Sequence, residues 1–288
     1  MNRARKLSIA AIGICVALVA TACSSSGGGT SNNGNTNSGS NSAGGGNPLG
    51  LVHPGTLTVG MNLTSKPQMY LDENGKPAGY DVLLLNKLAA DLHLKLNIVN
   101  LSFDGLIPGL QAQKFDMVSS GLSDTPEREK VVDFSRAYVP YQIELAVPAN
   151  NNDAATVAAW NKSSVTIAGL KGSNDADIAK AQFPNAKQAL FPTVNEALLD
   201  LATGRASAAV AESFLIQQFM ESNPGKVKQL PFDNSILPTY YGAYAVQKGN
   251  TAMKAALDSW ICTNQASGFM KTSYESTEKT TFPAMPAC

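Results

Sequence analysis

The stretch GLSDTPEREK, residues 121–130, sets an arginine where a helix begins. Thr125 suits the N-cap and Pro126 the first helical position, so Arg128 falls in the first turn. The positive end of the helix dipole disfavours a cation there by roughly 0.3–1 kcal/mol. Either Arg128 is a solvated charge balanced by Glu127 and Glu129, or it faces an anion together with the free helix N–H groups. A carboxylate in the guanidinium fork outweighs the dipole penalty, and Ser120, Ser123 and Thr125 stand near enough in sequence to add hydrogen bonds. An acid, Glu212, closes the apolar run ASAAVAE further on.

The elements that must position these residues alternate. TLTVGMN reads as a strand, and GYDVLLLNKLAADL as a helix with Val82, Leu85, Ala89 and Leu92 on one face. LKLNIVNL is the next strand, FDGLIPGLQAQ a helix, and FDMVSSG a buried strand. After Pro148 the pattern returns with VTIAG, NDADIAKAQF, QALFP, NEALLDLAT and ASAAVAE. Strands spaced by helices predict parallel sheets of the doubly wound kind. DGLIPGLQAQKFDMVSSG and NEALLDLATGRASAAVAE align without a gap, with Asp104 over Asn195 as helix caps, Lys114 over Arg205 and Gly121 over Glu212. A duplication and a generic αβ unit both account for this; either favours two lobes. Ligands of open parallel sheets bind beyond the carboxyl ends of the strands, here Ser119, Ser120 and Gly121 in one half and Glu212 and Ser213 in the other.

The N-terminus reads as a leader. MNRARK, an apolar run and ATAC before Cys23 have the pattern of a secretory signal over residues 1–22 and resemble a bacterial lipoprotein signal, with Cys23 as the lipidated residue. Ala20, Thr21 and Ala22 would also suit an ordinary signal peptidase. From Cys23 to residue 50 the chain is mostly Ser, Gly and Asn, a flexible tether. No later stretch is long and apolar enough to span a bilayer. Lys+Arg number 22 and Asp+Glu 22, with no basic run, which argues against nucleic acid as a partner. In an oxidising compartment Cys262 and Cys288 are expected to form a disulfide, two free thiols being the alternative. His53 and His93 lack company for a metal site, GLKGSND lacks phosphate-loop spacing, and no nucleophile-base-acid set is visible, so no metal or cofactor is expected.

NGKPAGYDVLLLNKLAADL, FDGLIPGLQAQKFDMVSSGLSDTPEREKVVDFSRAYVPY and YYGAYAVQKGN carry a resemblance over nearly all of the folded part. The chain resembles the extracytoplasmic solute-binding proteins of ABC importers, in the polar amino acid branch. The resemblance implies a two-lobed α/β fold, type II periplasmic-binding-protein-like, each lobe a mainly parallel sheet flanked by helices. Two crossing hinge segments near 141–142 and 240–241 would divide lobe 1 (51–141 plus 241–288) from lobe 2 (142–240). It further implies a monomer, lipid-anchored at the outer face of the cell membrane or in the periplasm, that hands an amino acid to ABC permease subunits. In such proteins the arginine matching Arg128 forks the ligand carboxylate, helped by the serine matching Ser123 and by main-chain N–H groups around Ser173 and Asn174. The carbonyl of Gly121 and the carboxylate of Glu212 would take the ammonium, and Phe103 would pack on the side chain. Glu212 stands where aspartate is usual, and Asn62 replaces a common acid, which argues against a strongly cationic ligand. Ser65 and Gln68 replace aromatics and make that wall polar; Lys66 is either a partner for an acidic side chain or a solvated charge. Two other functions share the fold: a cyclohexadienyl dehydratase with Glu212 as general acid, and a sensor docking on a membrane receptor.

Overall fold

The computed structural model describes residues 47–288. The expected signal, Cys23 and the tether up to residue 46 lie outside the described residues. Residues 47–50, expected as the end of the tether, belong to the folded body. The Asn47 side chain bonds Leu51 in both directions, and the Leu49 carbonyl accepts from Asn250.

In chain order the elements are β1 (Thr56–Met61), β2 (Thr64–Ser65), β3 (Met69–Leu71), β4 (Pro77–Ala78), α1 (Tyr80–Asp91) and β5 (Lys95–Asn100). A 3₁₀ turn (Phe103–Gly105) leads into α2 (Leu106–Gln111), β6 (Met117–Leu122), α3 (Pro126–Glu129) and β7 (Val132–Pro148). Then follow α4 (Val157–Trp160), β8 (Thr166–Leu170), α5 (Asn174–Gln182), β9 (Lys187–Phe191), α6 (Val194–Ala202), β10 (Ala208–Glu212) and α7 (Ser213–Ser222). The chain ends with β11 (Val227–Leu230), β12 (Thr239–Gln247), α8 (Thr251–Ala266) and α9 (Phe269–Glu278).

β5, β1 and β6 are parallel, and β9, β8 and β10 form a second parallel set. Each set is extended by antiparallel strands, and the order is β5-β1-β6-β12-β7-β10-β8-β9. β7 is 17 residues long and serves both halves: its first part pairs with β12, its last with β10 and β11. Tyr141 pairs with Tyr240 and Gln142 with Thr239 where the chain passes between the halves. The sequence pattern accounts for the layers. β6 is apolar or small throughout and wholly buried. α1 turns Val82, Leu85 and Ala89 inward as its spacing predicts, with Leu84 and Leu88 widening that face. Trp160 and Trp260 lie in the core of different halves.

The aligned segments keep their register, since Met117 and Ala208 open β6 and β10, and Gly121 and Glu212 then occupy equivalent places. The caps differ from expectation. Thr193, not Asn195, caps α6, in a capping box with Glu196. Asp104 sits inside the 3₁₀ turn and pairs with Lys171 at 2.7 Å. Cys262 on α8 is bonded to Cys288, with a Cα separation of 5.6 Å.

Candidate functional site

α3 begins as its sequence dictates: the Thr125 hydroxyl accepts from the Arg128 N–H at 3.4 Å and Pro126 opens the helix. The guanidinium then swings out of the helix. Nη1 donates to the Ser123 carbonyl and to Ser123 Oγ, both at 3.0 Å, and Nη2 donates to the Gly172 carbonyl at 3.0 Å. Gly172 precedes α5, so Arg128 bridges the two halves beside the Lys171–Asp104 pair. The Arg128 guanidinium carbon is 6.0 Å from the centre of the Phe103 ring. Burial lowers the Arg128 pKa, and the charges of Tyr240, Asp177 and Asp175 oppose that shift. Arg128 is thus held by acceptors from both halves.

Ser173 caps α5, its Oγ accepting from Ala176 N–H at 3.2 Å, and its own N–H donates to the Leu170 carbonyl. The N–H groups that remain for an anion are those of the first turn of α5, beginning with Asn174. On the acidic side, Glu212 ends β10, and its Oε1 accepts from the Tyr240 hydroxyl at 3.0 Å. Burial pushes the Glu212 carboxyl above its ordinary range.

A small cavity of about 20 Å³ lies between the halves. Asn62, Phe103, Ser120 and Glu212 line it, as does Ser65, together with Met69, Tyr141 and Phe214. Arg128, Ser123, Gly121, Ser173 and Asn174 are not in its wall; Arg128 lies over Phe103 and Gly121 abuts Tyr141, both of which line it. Asn62 holds its place through an Nδ2 bond to the Leu101 carbonyl and an Oδ1 acceptance from Thr64, and its N–H donates to Ser120 Oγ. Gly121 has φ +61°, and a Cβ there would lie 2.4 Å from Tyr141 Oη, so glycine is required on both counts. Its N–H donates to Tyr138 Oη at 3.2 Å.

Gln68 departs from expectation. Rather than forming a polar wall of the cleft it is buried, and its Nε2 donates to Asp81 at 2.5 Å. Asp81 is fully enclosed and also accepts from Tyr138 Oη at 2.6 Å and Ser119 Oγ at 2.8 Å. Burial raises its pKa to about 6 against those bonds. Asp81 and Tyr138 thus brace the turn at Gly121 from behind. Lys66 lies 5.3 Å over the Tyr70 ring. Sequence reasoning missed Tyr141, whose Oη has no hydrogen-bond partner among the described residues, and Asp175, which sits against Glu212 and Tyr240. The aspartate in GSND, one residue past the expected anion-binding N–H groups, was the available signal. Among the described residues no three His, Cys, Asp or Glu side chains gather to hold a metal ion.

Residues 57–276 match the family described as Bacterial extracellular solute-binding proteins, family 3. The ABC transporter arginine-binding protein 1 of Escherichia coli (strain K12) is 26% identical over 217 residues, 74% of this chain and 86% of its own length. The crystal structure of the ancestral amino acid-binding protein AncCDT-1, a precursor of cyclohexadienyl dehydratase, is 31% identical. It has a TM-score of 0.70 and covers 77% of this chain and 95% of its own. An ancestral arginine-binding protein bound to glutamine is 29% identical, with a TM-score of 0.71 over 78% of this chain and 98% of its own. With that match over most of the chain and a sheet order of two parallel sets joined by β7 and β12, the chain belongs to the bacterial extracellular solute-binding proteins of family 3.

Proposed function

We propose that this chain is the receptor of an ABC importer and captures an amino acid in the interlobe cleft, outside the cytoplasmic membrane. The observation that carries the reading is that Arg128, from one half, reaches the Gly172 carbonyl of the other and lies 6.0 Å from the Phe103 ring, while Phe103 and Glu212 line the cavity between the halves. Arg128, with Ser123 and the first-turn N–H groups of α5, takes the ligand carboxylate. Glu212 and the Gly121 carbonyl take the ammonium, and each buried charge then has a partner. Phe103 packs on the ligand side chain, whose far end meets Asn62 and Ser120. Among the described residues Glu212 is the one acid lining the cavity, and it is taken by the ammonium, so polar neutral or acidic amino acids are preferred. The related proteins support amino acids as the ligand class: one is named for arginine, and another was solved with glutamine. Hinge motion about 141–142 and 240–241 opens and shuts the cleft. Lipid on Cys23 holds the monomer at the outer membrane face, where permease subunits receive the ligand.

A thermal-shift screen of the common L-amino acids, followed by calorimetry, tests the reading, since a ligand of the folded state raises the melting temperature. One polar neutral or acidic amino acid is expected to stand out; no response to any of them overturns the proposal. A second reading rests on Glu212. A carboxyl that keeps its proton in a closed cleft has what a general acid needs, and an ancestral dehydratase precursor shares the fold. Turnover of prephenate or arogenate would establish that reading, and none would remove it.

A further inference from the structure

Asp175 is the second residue of the first turn of α5 and is only 2% exposed. The Tyr240 hydroxyl donates to Glu212 Oε1 at 3.0 Å, and the Asp175 carboxyl sits against both groups. Asp175 Oδ1 has no hydrogen-bond partner among the described residues. Two carboxyls set against each other, one of them buried, oppose each other's ionisation, because the like charges repel and the buried one is poorly solvated. The groups facing them are Arg128 from α3, Tyr240 from β12 and Tyr141 from β7, with Asp177 on the same helix as Asp175. Arg128 is the single cation among these, and its fork is already assigned to a carboxylate in the reading above, on which this inference rests.

We infer that Asp175 is a specificity-determining residue of the site, which with Glu212 forms a carboxyl pair that shares one proton and presents a single negative charge to the ligand ammonium. Charge then balances as one plus and one minus on each side. Arg128 meets the ligand carboxylate, and the pair meets the ammonium with two acceptor groups but one charge. The class of ligand selected is a solute with one carboxylate and one ammonium on adjacent atoms. A dicarboxylate without an ammonium brings a second negative charge that finds no cation. Burial raises both acids, and for Asp175 the Glu212 charge adds to the shift, in the direction a retained proton requires.

Carbon-13 NMR of the side-chain carboxyls in the ligand-free protein tests this directly. At pH 7 the wild type is expected to show a protonated carboxyl that disappears in Asp175→Asn and in Glu212→Gln. The protonated Glu278 carboxyl, raised to about 8 by burial, should remain in all three. If both single variants keep the same number of protonated carboxyls as the wild type, the pair is refuted; either variant suffices should the other fail to fold. With L-glutamine as calorimetric probe, each single substitution leaves one carboxylate for the ammonium. The double substitution should therefore lose more affinity than the product of the two single losses, and simple multiplication of those losses would also overturn the pair. The NMR arm is read without ligand, so it can fail while amino acid binding stands, and the reverse.

Discussion

Replacing Arg128 by alanine removes the guanidinium that reaches both Ser123 and the Gly172 carbonyl, and leaves a bound carboxylate facing only hydroxyl and N–H donors. Breaking a buried charge pair by deleting one partner costs roughly 3–5 kcal/mol. Arg128 is half-buried, so the lower end applies: ~3 kcal/mol, or on the order of 100-fold in Kd. Lysine keeps the charge but not the planar fork, and its loss should fall between wild type and alanine. The assay is titration calorimetry with the amino acid that raises the melting temperature most, after circular dichroism has shown that both variants are folded. A folded Arg128→Ala that binds within threefold of wild type would refute the assignment of the carboxylate to this residue.

Glu212→Gln should weaken an α-amino acid by roughly tenfold, one charged hydrogen bond's worth, and leave the matching keto acid less affected; equal losses in competition binding would remove Glu212 from the ammonium site. Asp81 has a folded pKa of about 6, above the ordinary carboxylate value, so the folded state holds its proton more tightly. Its contribution to stability is therefore full below about pH 4 and lost as pH rises to about 6, by ~3 kcal/mol. Asp81→Asn should flatten that part of the denaturation profile, and an unchanged profile counts against the shift. Reducing the Cys262–Cys288 bond, which closes a loop with a sequence separation of 26, should cost about 3.5 kcal/mol in the chain-entropy account. Denaturant midpoints with and without reductant, and in a Cys262→Ser/Cys288→Ser variant, measure it.

Local signals were enough for elements whose apolar spacing matches a single period, such as α1 and β6, and for the start of α3, where Thr125 and Pro126 declare the cap. The helix caps at Asp104 and Asn195 were misread because a residue with good capping chemistry was preferred over its neighbours. Thr193 wins by completing a capping box, and Asp104 is occupied by Lys171 from the other half. β7 was harder to see, since VDFSRAYVPYQIELAVP mixes polar residues and a proline. Those positions are tolerated because different partners cover its two ends. Gln68 looked like a cleft residue by its place in the sequence, but the burial of Asp81 demands a donor, and only the three-dimensional path brings the two together. Asp175 was legible as an acid near an anion site and no more. That it opposes Glu212 follows from how β10 and α5 pack, which no local pattern records.

β12 lies between β6 and β7 in the sheet order, yet it is the last strand to be made. As the chain lengthens from its N-terminus, the facing edges of β6 and β7 therefore stay uncovered until nearly every residue is available. Neither half can be cut away as an autonomous fragment, because β7 would leave one sheet without its inner strand. Uncovered edges invite pairing with other chains, so the most hazardous interval for this molecule is the one before its final strand arrives, and a truncation anywhere ahead of residue 239 would make that interval permanent.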